Sequence, residues 1–257
     1  MHELLTAQPG SKQLLLGNEA IVRGALEAGI SFATTYPGTP SSEIGDNFYK
    51  ISQETDLYFE YSVNEKVALE TAAAAAISEL RTMCSMKHVG LNVAADALLT
   101  LAYVGVKGGL VIVSADDPSM HSSQNEQDNR YYAQLAGLPM LEPANSQEAL
   151  EMTRAAFELS EAYKIPVLLR TTTRINHSRT PVEVGLLQPP RRSGAFKKDP
   201  FNLVTVHMVG RRLRVELLEK INKIGSESSS SPFNILEGKV GWGVVTSGVS
   251  YNYVAEA

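Results

Sequence analysis

The sequence predicts an α/β fold: a mostly parallel sheet with helices on both faces. Three observations carry that expectation. Strand-length apolar runs alternate with helically spaced ones from Asn18 to Thr172. Several of the strand-like runs, such as Leu110 to Ala115, are apolar at every position, as in strands covered on both sides. The chain has 257 residues, 44% of them hydrophobic and 20% charged, a profile that can bury a core. Alternation of this kind implies crossover connections and ligand sites at the carboxyl ends of the strands.

Each element has its own reason. Asn18 to Ala28 reads as a helix because Ala20, Ile21, Ala25 and Leu26 recur at helical spacing, and Gly29 follows as a stop. Ile30 to Tyr36 reads as a strand, Pro37-Gly38 as a turn, and Ser41-Ser42 as the next helix start. A strand from Leu57 to Tyr61 leads into a helix from about Val63 to Glu79. Arg81 to His88 is a further strand, expected to be broken by Gly90 before a helix through Ala94 to Val104. After Leu110 to Ala115 comes a long polar loop, Asp116 to Asn129. A short helix (Tyr131 to Ala136), a short strand (Met140-Leu141), a helix (Ser146 to Tyr163) and a strand (Val167 to Thr172) complete the alternation.

Composition shifts near Gly185. Residues 186–223 carry nine Lys or Arg against three acidic residues, and Pro189, Pro190 and Pro200 interrupt regular structure. A solvated linker with a docked helix over Arg211 to Ile224 is the plainer reading, and a polyanion-binding patch the other. Ser226 to Ser231 reads as flexible, Gly241 to Ser247 as a strand, and Ser250 onward as a helix start. One strand and two helical turns cannot build a core, so the tail is expected to be the truncated start of a second domain. The expected division is 1–185, 186–231 and 232–257.

Several function classes are disfavoured. One cysteine rules out a disulfide framework and an iron–sulfur cluster held by this chain alone. The net charge of −5 argues weakly against nucleic-acid binding. No apolar run is long enough to span a bilayer, and the start lacks a signal-peptide pattern, so a cytoplasmic protein is expected. The common phosphate-cradling glycine fingerprints, the His-Glu-x-x-His metal motif and the Gly-x-Ser-x-Gly elbow do not occur. No metal site is expected in the chain.

The candidate residues lie in four loops at strand ends. In Tyr36 to Glu43, Thr39, Ser41 and Ser42 supply hydroxyls; the loop is either a turn with an N-cap or a small-ligand loop in which Thr39 donates to a carbonyl or carboxylate. Glu65 is either the last member of a Ser62-x-x-Glu65 capping box or a carboxylate poised at a ligand-binding edge. Ala72 to Ala76 implies close helix packing, or room for another subunit or a cofactor ring. His88 reads as a satisfied, partly buried histidine before a catalytic one, Gly90 as a point of close backbone approach, and Cys84 as a core residue. The long loop from Asp116 is rich in hydrogen-bonding groups, and Asp117-Pro118 also suits ordinary turn chemistry.

Taken together, the loops are specific. The runs Leu14 to Ile44 with YPGTPSS, Tyr61 to Leu98 with SVNEK and MKHVGLN, and Gly109 to Arg130 with ADDPSMHSSQNEQD resemble the thiamine-diphosphate-dependent 2-oxoacid:ferredoxin oxidoreductases, in particular the alpha subunits of the indolepyruvate branch. The resemblance runs from about Leu14 to the chain end and implies the pyrimidine-binding domain type. It implies that Glu65 is catalytic, hydrogen-bonding a pyrimidine ring nitrogen so that the cofactor's own amino group removes the thiazolium proton. It places Pro40, Gly90 and Asn92 against the cofactor. It places Thr39 near the substrate carboxylate, with His121, Gln124 and Asn125 in a looser match on the substrate side.

The family's diphosphate- and magnesium-binding domain and its cysteine-rich iron–sulfur segment have no counterpart in this sequence. The resemblance therefore implies half a thiamine diphosphate site. It also implies, as partners, a diphosphate-binding domain or chain, a beta subunit, ferredoxin through the full complex, and an oligomer, with coenzyme A as acyl acceptor and no nucleic acid or membrane. The isolated chain is then expected to lack turnover. The alternatives are a non-catalytic assembly module and an unrelated small-ligand α/β domain in which Glu65 is only a cap.

Overall fold

A computed structural model describes residues 1–190, 193–238 and 243–257. In chain order the elements are α1 (Glu3–Thr6), β1 (Lys12–Leu16), α2 (Gly17–Glu27), β2 (Phe32–Thr35), α3 (Ser42–Ser52), β3 (Tyr58–Tyr61) and α4 (Glu65–Ile77). Then come β4 (Thr82–Lys87), α5 (His88–Val93), α6 (Ala95–Val104), β5 (Leu110–Asp116), α7 (Arg130–Ala136), β6 (Met140–Leu141), α8 (Ser146–Tyr163) and β7 (Val167–Thr172). The chain closes with α9 (Thr173–His177), β8 (Arg179–Glu183), α10 (Pro200–Leu203), α11 (His207–Ser228) and α12 (Ser250–Glu256).

Strands β2 to β7 form a six-stranded sheet in the order β3-β2-β4-β5-β7-β6, and every pairing in it is parallel. Side chains alternate across the sheet and so divide the apolar residues into two cores. Ala33, Met83, Val111, Val113, Val167 and Leu169 pack with α2, α3 and α8 on one face. Cys84, Met86, Leu110, Ile112 and Leu168 pack with α4, α5, α6 and α7 on the other. The predicted fold class is therefore the observed one. The alanines of α4 are used for close packing: Ala72, Ala73 and Ala76 are buried, and Thr34 and Thr82 hydroxyls donate to Ala68 O and Ala72 O at 2.8 and 3.2 Å.

The strand order has a reversal. The chain steps outward from β2 to β3, then crosses back to β4 on the other side of β2 and continues to β5. Chains leaving β2 and β4 thus diverge, which opens a crevice at their carboxyl ends. Open α/β sheets bind ligands at this switch point.

Four local expectations change. Gly90 does not break the chain after β4; it lies inside α5, which begins directly at His88. The helix after β3 is capped by Asn64, whose Oδ1 accepts from Val67 N at 2.9 Å, so no Ser62–Glu65 capping box forms. The long C-terminal helix continues through Ser226 to Ser228, where Ile221 and Ile224 pack on the second core and Glu227 accepts from Tyr163 Oη. The strand expected over Gly241 to Ser247 falls partly outside the described residues, and 243–247 carry no strand. The antiparallel β1–β8 ribbon was not foreseen; it joins short runs far apart in sequence, Lys12 opposite Glu183.

Candidate cofactor and substrate site

The Thr39 loop leaves β2 at the switch point. The Thr39–Pro40 peptide is cis, Thr39 is exposed and Pro40 is buried. Two buried asparagines hold this loop from below. Asn18 Nδ2 donates to Pro40 O at 2.8 Å and to Glu43 Oε2 at 2.7 Å, while Asn176 Nδ2 donates to Asn18 Oδ1 at 2.5 Å. Ser41 donates from both N and Oγ to Gly38 O and tightens the turn into α3. The sequence reading missed both asparagines as supports, because Asn18 also suits a helix start and Asn176 lies in an unforeseen one-turn helix.

Glu65 opens α4 just beyond the end of β3. Its carboxylate is half-buried and accepts no hydrogen bond among the described residues, since Asn64 does the capping. It lies directly over Gly90: a Cβ added there would fall 2.5 Å from Glu65 Cγ and 2.6 Å from Oε1. Only glycine leaves this carboxylate its position. Asn92 lies two residues further along α5, about 200° around the helix from Gly90. Its side chain is exposed and joins Gln127 at 2.9 Å and Tyr132 Oη at 2.7 Å, away from Glu65.

The loop from Asp117 to Asn129 is fastened at several points. Asp117 accepts from Ser122 N at 2.8 Å, Ser123 Oγ at 2.6 Å and Thr173 Oγ1 at 2.7 Å. Burial pushes this carboxyl up, but these donors outweigh burial and lower it to about 2. Burial also raises Asp116, against the opposing pull of the Arg170 guanidinium 2.9 Å away and the Asn129 N–H. His88 is fully buried rather than partly so, and it is only half satisfied: Nε2 donates to Asn125 O at 3.1 Å, and Nδ1 has no partner among the described residues. Asn125 thus contributes its carbonyl to loop anchoring, while His121 and Gln124 are exposed on the loop. Burial holds the Cys84 thiol at about 12, an inert core group.

Lys87, at the end of β4, ties the two loops together. Its stem lies against Gly38 and its Nζ donates to Ser122 O at 2.8 Å. The structure thus brings the Thr39 loop, the Glu65–Gly90 pair and the 117–129 loop to the carboxyl end of one sheet. These parts suit an aminopyrimidine: an uncommitted carboxylate for a ring nitrogen and a side-chain-free backbone beside it. Among the described residues no group of three or more His, Cys, Asp or Glu could hold a metal ion, and no helix is long and apolar enough to cross a membrane.

An open parallel sheet with polar loops gathered at its switch point has the architecture of α/β domains that bind ligands there. Residues 23–200 match the family described as pyruvate flavodoxin/ferredoxin oxidoreductase, thiamine diphosphate-binding, and the chain belongs to that family. It is 52% identical over 260 residues to the indolepyruvate oxidoreductase subunit IorA of Methanothermobacter marburgensis, covering 100% of this chain and 42% of that one. It is 53% identical to the same subunit of Thermococcus kodakarensis, covering 99% and 40%. A 2-oxoglutarate synthase subunit KorA of Methanothermobacter thermautotrophicus is 30% identical over 182 residues, or 65% of this chain and 46% of that one. The chain therefore spans about two fifths of the length of those indolepyruvate oxidoreductase subunits. The 2-oxoglutarate:ferredoxin oxidoreductase of Magnetococcus marinus, solved with 2-oxoglutarate, coenzyme A and succinyl-CoA bound, shares the fold with a TM-score of 0.74. That likeness covers 97% of this chain and 51% of that one, at 14% identity. The resemblance read from the loops is borne out at the level of family and fold.

Proposed function

We propose that this chain forms the aminopyrimidine-binding half of the active site of a 2-oxoacid:ferredoxin oxidoreductase acting on indolepyruvate or a related arylpyruvate. The observation that carries this reading is the Glu65 carboxylate, free of any capping duty and seated over Gly90 at the switch point. The relatives named for indolepyruvate support the substrate class.

In this reading Glu65 holds a proton at the pyrimidine ring nitrogen and exchanges it during turnover. Pro40 and Gly90 present backbone to the cofactor, and Thr39 donates to the substrate. His121, Gln124 and Asn125 edge the substrate side, and Asn92 acts through Gln127 of the same loop and Tyr132 of α7. Bound thiamine diphosphate supplies the carbon nucleophile and electron sink for oxidative decarboxylation to an acyl-coenzyme A.

Residues 1–185 are the cofactor-binding unit, and 186–231 a basic linker whose helix docks back on it. Magnesium, the diphosphate contacts and the iron–sulfur clusters belong to other domains or subunits, ferredoxin is reached through the complete assembly, and the isolated chain has no turnover. A beta subunit and a cytoplasmic setting complete the proposal.

Glu65→Gln in the complete complex tests it. Turnover should fall about 100- to 10,000-fold, with circular dichroism and assembly unchanged. Undiminished turnover would remove Glu65 from the mechanism.

A further inference from the structure

His88 stands between the two sides of the crevice. It opens α5 directly after β4, and Gly90, two residues further on, lies under the Glu65 carboxylate. From this one residue three hydrogen bonds run to the 117–129 loop. The ring Nε2 donates to Asn125 O at 3.1 Å, and the backbone carbonyl accepts from Gln127 Nε2 at 3.1 Å and Asn129 Nδ2 at 3.0 Å. The ring bond falls where the loop has least other support. Asp117 gathers Ser122 and Ser123, Lys87 reaches Ser122 O, and Asn129 is held by Ser114 and Asp116. Across residues 124–126, the bonds among the described residues are that of the His88 ring and one within the loop, from Ser119 N to Glu126 Oε2 at 3.0 Å. The ring therefore ties the Gln124–Asn125 stretch to the sheet.

Packing does not account for an imidazole at this place. The side chain is fully buried, and Nδ1 has no partner among the described residues. A buried polar atom left unpaired is costly, and an apolar side chain of similar volume would fill the space without that cost. What such a side chain cannot supply is the donor at Nε2. That nitrogen faces a carbonyl oxygen, which only accepts, so it carries the ring proton.

We propose that His88 is a positioning residue, which sets the Gln124–Asn125 stretch against the substrate by donating from Nε2 to the Asn125 carbonyl. Its place at the head of α5 fixes that stretch relative to the Glu65–Gly90 pair. This deepens the function proposed above and rests on it. His88 itself touches neither substrate nor cofactor, so its loss acts through the loop.

The experiment compares His88→Leu, His88→Asn and His88→Gln in the complete complex. It reads steady-state kinetics with indolepyruvate, calorimetric titration of thiamine diphosphate, and amide exchange over residues 118–128. Glutamine carries an amide N–H to the reach of Nε2, whereas asparagine is one methylene too short. In His88→Leu and His88→Asn, exchange should accelerate about tenfold, the loss of one neutral hydrogen bond. KM should rise about three- to tenfold in both, with kcat and cofactor affinity changed by less than about twofold. His88→Gln should recover most of the loss in exchange and in KM. An unmoved KM or unaccelerated exchange in His88→Leu would overturn the proposal. So would equal losses of KM and cofactor affinity in all three variants, which would leave His88 a packing residue. If His88→Leu fails to assemble, the contrast between glutamine and asparagine decides the same question. Glu65→Gln measured alongside separates the two failures. If it is inert while KM in the His88 variants is unmoved, only the role of His88 falls; if it turns over, the function beneath falls too.

Discussion

At the scale of single residues, the site depends on what is absent as much as on what is present. Gly90 has no side chain, and the Glu65 carboxylate uses that space. Gly90→Ala should force Glu65 to rotate away. The fold should lose little, because a flexible side chain yields, but affinity for thiamine diphosphate in the complete complex should fall about tenfold or more. Isothermal titration of the cofactor checks this; unchanged affinity would mean that Glu65 makes no contact with it. Asp117 carries a second prediction. Its carboxyl is lowered from 3.8 to about 2, so its bonds to Ser122, Ser123 and Thr173 stabilise the loop fully above 3.8 and are lost as pH falls towards 2. Amide exchange across residues 118–128, corrected for intrinsic rates, should accelerate only in that acid range.

At the scale of elements, α2 is the beam on which the site rests. Its first turn supplies Asn18 beneath the Thr39 loop, and its interior carries a fully buried arginine. Arg23 pairs with Glu27 at 2.9 Å and donates to Leu4 O and Gly185 O, both at 2.6 Å. One side chain thereby joins α1, α2 and the segment after β8. Glu27 retains Gly185 N at 2.5 Å and Arg154 at 3.4 Å when Arg23 is removed, too little for a buried carboxylate. Arg23→Met should cost about 3–5 kcal/mol, read from urea unfolding. A loss near zero would mean that the methionine stem packs as well as the ion pair it replaces.

At the scale of the whole molecule, the second core is completed from outside the sheet. Helix α11 packs on α6 and lays Leu217 into this core, 3.7 Å from the Cβ position of Gly137 just after α7. Arg214 stacks over Tyr103 at 5.7 Å and Lys223 over Tyr163 at 5.5 Å. The basic residues of this segment are thus partly spent on aromatic faces of the same chain, which weakens the reading of a free polyanion patch. Leu217→Ala should destabilise the chain by about 2–5 kcal/mol, with the same unfolding cooperativity. Two separate transitions in the unfolding curve would show instead that α11 melts independently of the sheet.

The sequence by itself determined the parallel α/β class, the helix from Ser146 to Tyr163 at both ends, and the loops after Tyr36, Tyr61 and Ala115 at the carboxyl edge. These follow from local periodicity and from short motifs, which one stretch of chain carries complete. The family was legible for the same reason. What tertiary structure alone decided is how the loops are used. Whether Glu65 is a cap or a free carboxylate depended on a competition with Asn64, which sequence spacing cannot rank. The role of Gly90 depended on a neighbour in another helix, and its helical conformation hid it from a reading that treats glycine as a breaker. The β1–β8 ribbon, the Asn18–Asn176 support and the Lys87 bridge join residues distant in the chain. Their partners are chosen by the closure of the sheet, and no local pattern encodes that choice.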